Sequence, residues 1–246
     1  MKAFVLTVGV FFSVALYANP SIKPQEQAVA SAHPAATQAG IDVLNQGGNA
    51  FDAAVAVSAA LAVVEPFGSG IGGGGFWLLH RESDGFQVMV DGREVAPLKA
   101  DRDMYLDKQG EPIKNASVNG ALAAGIPGLP AALDHLAKKY GKLPLSDSLK
   151  PAIELAEKGF LVNEHYRRLA KFRQIALASN PSAEAIFLSK GQVPDLGAVI
   201  QQEDLAETLK QLSKQGFDGF YAGEVADKLV QGVQQAGGIW TKEDLK

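Results

Sequence analysis

The stretch Gly68-Ser69-Gly70-Ile71-Gly72-Gly73-Gly74-Gly75-Phe76 is the most informative part of this chain. It lies between an alanine-rich apolar segment and a strand-like run of aromatic and aliphatic residues. Consecutive glycines are costly to order, because glycine loses more backbone freedom on folding than any other residue. Such a run is expected where the backbone passes very close to another backbone segment or to a ligand.

A nucleotide site is one interpretation of this stretch, because Gly70, Gly72 and Gly75 have the spacing of the dinucleotide-binding fingerprint. That fingerprint requires a strand before the glycines and a helix after them, so that the pyrophosphate lies at the helix N-terminus. Here the order is reversed, since 53–64 is helix-like and 76–80 is strand-like. We therefore favour close backbone packing over nucleotide binding, and interpret Gly72 to Gly75 mainly as structural.

Composition excludes several classes of function. The chain has 246 residues, enough for one large or two small domains, and a net charge of −4. No lysine- or arginine-rich stripe stands out, which argues against nucleic acid as a partner. The absence of cysteine excludes disulfides, thiolate catalysis and cysteine-based metal sites. The four histidines are scattered without metal-ligand spacing, and we expect neither a metal nor a cofactor.

The first 18 residues differ from the rest of the chain. Lys2 precedes an apolar run from Ala3 to Leu16, and the small residue Ala18 borders a polar segment. This pattern is typical of a secretory signal peptide, here residues 1–18, and the run is short for a membrane span of about 20 residues. We predict export to a periplasm or the exterior, and no stable membrane span. An uncleaved N-terminal anchor is the alternative.

Hydrophobic spacing and capping residues predict a helix-rich α+β chain. A first helix over 27–46 precedes a second over 53–64, which is apolar nearly all round and therefore expected to be buried. Strands at 76–80 and 86–90 form a hairpin. Further helices are predicted over 128–139, 145–158, 163–178, 203–215 and 222–236, with another opening at 241–246. Because a hairpin alone is marginally stable, two strands are too few, and we expect the chain to be incomplete.

Several motifs, in order along the chain, carry a family resemblance: Gly47–Ala56, Gly70–Phe76, Asp91–Pro97, Gly125–Gly128, Ile153–Phe160 and Gly237–Leu245. This set resembles the N-terminal part of γ-glutamyltransferases, also called γ-glutamyltranspeptidases or glutathione hydrolases. The resemblance implies that residues 19–246 are the N-terminal portion of the large subunit. It also implies an αββα N-terminal-nucleophile hydrolase sandwich, incomplete without the C-terminal remainder. In that family a precursor cuts itself into two subunits, and the large subunit pairs with a small catalytic subunit.

The family implies an N-terminal threonine of the small subunit as nucleophile, attacking a γ-glutamyl amide such as glutathione. The threonines of this chain are Thr7, Thr37, Thr208 and Thr241. None of them lies in a Thr-Thr-His-like processing context. We therefore assign no catalytic residue to this chain.

Two substrate-binding residues follow from the resemblance. Arg93, in Asp-Gly-Arg-Glu-x-Ala-Pro, matches the arginine that binds the α-carboxylate of the γ-glutamyl group. A guanidinium is a planar, permanently charged fork that pairs bidentately with a carboxylate. Glu94 could orient Arg93 or interact with the substrate ammonium group. The alternative for Arg93 is an ordinary ion pair with Asp91 or Glu94, and for Glu94 a structural salt bridge.

Two other functions compete with the γ-glutamyltransferase interpretation. One is a noncatalytic, truncated module that binds γ-glutamyl compounds or amino acids through Arg93. The other is a related N-terminal-nucleophile amidase of the β-lactam acylase type. The Arg93 motif favours a γ-glutamyl substrate over the acylases.

Overall fold

The computed structural model of the protein describes residues 27–246. The predicted signal peptide, residues 1–18, lies outside the described residues. Within the described part of the chain, no helix is long and apolar enough to cross a membrane.

The described chain alternates helices with two small antiparallel sheets. The helices are α1 (Pro34–Asn45), α2 (Ala50–Val64), α3 (Leu129–Tyr140), α4 (Leu145–Lys158), α5 (Glu164–Ala178), α6 (Pro181–Phe187), α7 (Glu203–Gln215), α8 (Asp218–Tyr221) and α9 (Gly223–Gln235). The strands are β1 (Gly75–Arg81), β2 (Phe86–Gly92), β3 (Phe160–Leu161) and β4 (Val199–Ile200). Short 3₁₀ turns occur at Ala121–Ala123 and Lys242–Leu245.

Helix α2 is the centre of the core. Its side chains are apolar on nearly every face, and Val55, Ala59 and Val63 are completely buried. Helices α1, α4 and α3 pack around it, and the small alanine side chains allow their axes to approach closely. The prediction of a buried helix in this segment is therefore confirmed.

A buried carboxylate fixes the N-terminus of α2. Asp52 is completely buried, and its Oδ2 accepts hydrogen bonds from the backbone N–H groups of Asn49 at 2.8 Å and Lys142 at 2.9 Å. Its Oδ1 accepts a further bond from the Leu143 N–H at 3.3 Å. Asn49 completes a capping box by accepting from the N–H of Asp52. One side chain thus ties the start of α2 to the α3–α4 connection, 90 residues away.

The β1–β2 hairpin packs one face on the core and leaves the other exposed. Trp77 points inward, and its indole N–H donates to the Ser58 hydroxyl of α2 at 3.1 Å. On the outer face Phe76, Leu78 and Met89 are 56%, 75% and 57% exposed. Gly75 pairs with Gly92, so the glycine-rich stretch ends directly opposite the end of β2.

Three details differ from the sequence prediction. The first helix begins at Pro34, not near residue 27, because a residue before proline is disfavoured in helical conformation. His33 instead caps α1, its Nδ1 accepting from the Ala35 N–H at 3.1 Å. The two-residue strands β3 and β4 and the short helices α6 and α8 were not predicted, because they are too short to show a hydrophobic period. The final segment forms a 3₁₀ turn.

We expect Asp52→Asn to lower the free energy of unfolding by about 1–3 kcal/mol, because an amide nitrogen would face buried backbone N–H groups. The matched control is Asp42→Asn, on the surface of α1, where the carboxylate accepts from a Gln38 side chain. The control should stay within about 0.5 kcal/mol of the unsubstituted protein. Urea unfolding measures both variants, and equal midpoints would contradict the role assigned to Asp52.

Candidate functional site

Arg93 is held by the turn that ends β2. Its backbone N–H donates to the Asp91 carboxylate at 2.9 Å, which bends the chain immediately after the last strand residue, Gly92. The strand predicted at 86–90 extends to Gly92, so Arg93 directly follows its end. A backbone fixed by a strand on one side and an Asx-type turn on the other gives the long arginine side chain a defined origin.

The Arg93 side chain is largely exposed and only partly paired. Its Nε donates to Glu94 Oε2 at 3.1 Å, and the two side chains are 62% and 33% exposed. Among the described residues, only Nε of the Arg93 guanidinium forms a hydrogen bond. Both terminal nitrogens are therefore available to bind a ligand. The guanidinium also lies 5.8 Å from the ring centre of Phe76. Arg93 therefore forms an ion pair with Glu94, one of the two partners considered above. Asp91 accepts a hydrogen bond from the Arg93 backbone and not from its side chain.

The glycine-rich stretch packs directly against this turn. A Cβ at Gly74 would overlap the Gly92 carbonyl oxygen and lie 2.8 Å from Arg93 Cα. Glycine is therefore required at Gly74 by the approach of another backbone segment, as predicted. A Cβ at Gly72, by contrast, would have nothing within 4 Å.

A second glycine approaches the same carbonyl oxygen, that of Gly92. A Cβ at Gly128, before α3, would overlap the Gly92 carbonyl oxygen and crowd the Arg93 carbonyl oxygen. The Gly73 carbonyl accepts from the N–H groups of Gly128 and Leu129, both at 3.0 Å. The glycine-rich stretch, the Arg93 turn and the start of α3 therefore form one closely packed backbone cluster. The sequence placed Gly128 in a family motif but gave no signal that it contacts Arg93.

An open groove lies beside the cluster. It is lined by Gly92 and Arg93 and by residues of α3 that include His135, Lys138 and Lys139, and its volume is about 770 Å³. Lys138 pairs with the buried Asp134 at 2.8 Å. Arg93, Lys138 and Lys139 face two lining carboxylates, Asp91 and Asp134, so the groove has a small excess of positive charge, which suits an anionic ligand.

Threonines in the described chain have structural roles. Thr37 lies within α1, and Thr208 within α7 donates to the Asp204 carbonyl at 2.9 Å. Thr241 donates to Asp244 at 2.7 Å in the capping box of the last turn. Thr7 lies outside the described residues. In residues 27–246 no three histidine or acidic side chains cluster in a way that could hold a metal ion.

Replacing Gly74 by alanine should destabilise the protein by about 1–3 kcal/mol, because the new methyl group forces the Gly92–Arg93 backbone to move. Gly72→Ala adds the same methyl group two residues earlier, where nothing lies within 4 Å. We expect that control to be near neutral in urea unfolding. A Gly74→Ala midpoint equal to that of Gly72→Ala would contradict the close approach.

Similarity to known proteins covers almost the whole described chain. The sequence model of the Gamma-glutamyltranspeptidase family matches residues 36–246. The chain is 41% identical over 225 residues to a glutathione hydrolase proenzyme of Escherichia coli K12, covering 91% of this chain and 39% of that protein. It is 43% identical over 235 residues to the corresponding proenzyme of Pseudomonas sp. strain A14, covering 95% and 41%. The chain thus spans about two fifths of the length of these relatives.

Solved structures show the same relationship. The γ-glutamyltranspeptidase of Helicobacter pylori matches with a TM-score of 0.87 and 42% identity, over 92% of this chain and 65% of that one. A cephalosporin acylase from Bacillus halodurans matches with a TM-score of 0.77 and 32% identity, over 96% and 45%. These matches confirm the predicted fold class, a helix-rich α+β part of an αββα N-terminal-nucleophile hydrolase sandwich. Sequence and structure together establish that this chain belongs to the γ-glutamyltranspeptidase family.

Proposed function

We propose that this protein is the N-terminal portion of the large subunit of an exported γ-glutamyltransferase, active as a glutathione hydrolase. The complete enzyme would cleave or transfer the γ-glutamyl group of glutathione and related amides. Family membership supports this proposal, as do the relatives named glutathione hydrolase proenzymes. The proenzyme names also support a heterodimer, in which this portion pairs with a small catalytic subunit from the same precursor.

The main observation behind the proposal concerns Arg93, whose backbone is held in place while its guanidinium is free to bind a ligand. Its backbone is fixed by β2, by the bond to Asp91 and by two glycine contacts, while its terminal nitrogens have no partner within residues 27–246. A fork held in this way suits the α-carboxylate of a γ-glutamyl group. Glu94 would keep the guanidinium oriented through the 3.1 Å contact and offer its other oxygen to the substrate ammonium.

Recognition and bond cleavage would come from different parts of the precursor. In the complete enzyme, the hydroxyl of an N-terminal threonine outside this chain attacks the γ-amide carbon, and the threonine's own amino group can take the proton. The threonine amino group gives this proton to the leaving amine as the C–N bond breaks, and an ester between the γ-glutamyl group and the threonine remains. Water or an acceptor amine then attacks this ester and releases glutamate or a new γ-glutamyl amide. Arg93 would hold the donor throughout.

An amidase acting on a β-lactam side chain is the second candidate, because the Bacillus halodurans cephalosporin acylase shares the fold. Arg93 distinguishes the two candidates, since its free guanidinium nitrogens match a donor that carries an α-carboxylate. Assaying a γ-glutamyl anilide beside a cephalosporin amide would separate them. Faster turnover of the cephalosporin amide would favour the acylase.

The complete reading frame and residues 19–246 should behave differently when each is expressed. We expect the complete product to cut itself, to carry a threonine at the new N-terminus and to hydrolyse γ-glutamyl-p-nitroanilide. Residues 19–246 alone should neither cut themselves nor hydrolyse this substrate, because none of their threonines is placed as a nucleophile. N-terminal sequencing and release of p-nitroaniline measure the two outcomes. A stop codon directly after Lys246, or turnover by residues 19–246 alone, would contradict the proposal.

In the complete enzyme, Arg93→Lys should weaken transition-state binding of the γ-glutamyl donor by about 1.5–3 kcal/mol, because lysine cannot make a bidentate contact. The matched control is Arg81→Lys at the opposite end of the hairpin, where Arg81 pairs with Asp84 at 2.7 Å. We expect the control to leave kcat/KM for γ-glutamyl-p-nitroanilide within twofold, about 0.4 kcal/mol. An unchanged kcat/KM in Arg93→Lys would remove Arg93 from the site.

A further inference from the structure

Tyr221 is a buried tyrosine that reaches the start of α3. It is the last residue of α8 and is 8% exposed. Its hydroxyl donates to the Pro127 carbonyl at 2.6 Å and accepts from the Ala131 N–H at 3.3 Å. Burial raises the pKa of Tyr221 to about 12, so the hydroxyl keeps its proton at neutral pH.

The hydroxyl replaces a capping side chain that α3 lacks. Gly128 occupies the N-cap position and has no side chain to accept from the first N–H groups of the helix. The N–H groups of Gly128 and Leu129 donate to the Gly73 carbonyl, and Pro130 has none. That leaves the Ala131 N–H, whose acceptor is the Tyr221 hydroxyl. Every free donor at this helix start is therefore satisfied either by the glycine-rich stretch or by Tyr221.

The segment that Tyr221 holds is the one that flanks Arg93. Pro127 lies between Ile126, which exchanges two backbone hydrogen bonds with Val95 at 2.8 and 3.3 Å, and Gly128, which contacts the Gly92–Arg93 backbone. A shift of the Pro127 carbonyl would therefore displace both Ile126, which is bonded to Val95, and Gly128, which contacts the Arg93 backbone. The side chain of Phe217 stacks on the Tyr221 ring with centroids 4.4 Å apart and fixes its orientation.

We infer that the Tyr221 hydroxyl is a positioning group for Arg93, acting through Pro127 and Gly128. This inference rests on the proposed function, because it concerns recognition of the donor α-carboxylate by Arg93. Tyr221 acts through these residues and not by contact with the substrate. Helix α8, which packs against α7 and α9, thus helps to position the guanidinium.

The test is Tyr221→Phe in the complete enzyme, with Tyr166→Phe as matched control. Tyr166 is also buried, its pKa is also raised to about 12, and its hydroxyl donates to the Phe187 carbonyl at 2.8 Å. The Phe187 carbonyl belongs to the last residue of α6, a helix that packs against α5. Both substitutions remove one hydroxyl and leave the ring in place.

Two substrates separate positioning from general damage. γ-Glutamyl-p-nitroanilide carries the α-carboxylate, and 4-aminobutyryl-p-nitroanilide is the same compound without it. Tyr221→Phe should lower kcat/KM for the first about three- to tenfold, mainly by raising KM, and change the second less than twofold. Tyr166→Phe should leave the ratio of the two kcat/KM values unchanged. That ratio does not depend on the concentration of active enzyme, so partial misfolding does not alter it.

A ratio in Tyr221→Phe equal to that in Tyr166→Phe would overturn the inference while leaving the proposed function intact. Absence of γ-glutamyl turnover in the unsubstituted enzyme would overturn both. If Tyr221→Phe does not fold, Phe217→Leu loosens the same ring from a partly exposed position and should shift the ratio in the same direction. In an Arg93→Lys background, Tyr221→Phe should have no further effect on the ratio, and additive losses would contradict coupling between the two residues.

Discussion

The organisation of the site depends on one steric constraint: two backbone segments approach the Gly92–Arg93 peptide more closely than any Cβ allows. Gly74 comes from the glycine-rich stretch and Gly128 from the start of α3. These contacts restrict movement of the turn, although the Arg93 side chain is largely exposed. The site thus combines a rigid backbone with an accessible guanidinium, which is what recognition of a small charged ligand requires.

The rest of the fold brings these segments together by fixing the ends of its helices with polar groups. Asp52 fastens the start of α2 to the α3–α4 connection, and Tyr221 fastens the start of α3 to α8. In each case the acceptor or donor of the bond is backbone, so its geometry survives substitution of the neighbouring side chains. The apolar side chains of α2 form the centre of the buried core. The hydrogen bonds of Asp52 and Tyr221 determine which helix ends lie next to each other.

Much of this arrangement could be predicted from local pattern. The apolar run of α2, the alternation in the hairpin and the cap at Asn49 are properties of short segments, and the structure agrees with them. The position of Arg93 shortly after a strand follows from the alternating pattern of residues 86–90. The contact between Arg93 and Gly128 and the bonds of Tyr221 could not be predicted, because they join residues far apart in sequence with no periodicity to mark them. The predicted start of α1 is wrong, because proline fits the first turn of a helix and disfavours helical conformation in the residue before it.

The span of the Tyr221 bond has a consequence for the order of folding. Tyr221 and Pro127 are 94 residues apart, whereas the hairpin that carries Arg93 forms between adjacent segments. Closing a long loop costs entropy that is recovered only when the distant contact is made. During synthesis the hairpin and α2 are therefore complete long before Tyr221, which holds the start of α3, has been made. The surroundings of Arg93 are completed by the arrival of α8, near the end of the described chain.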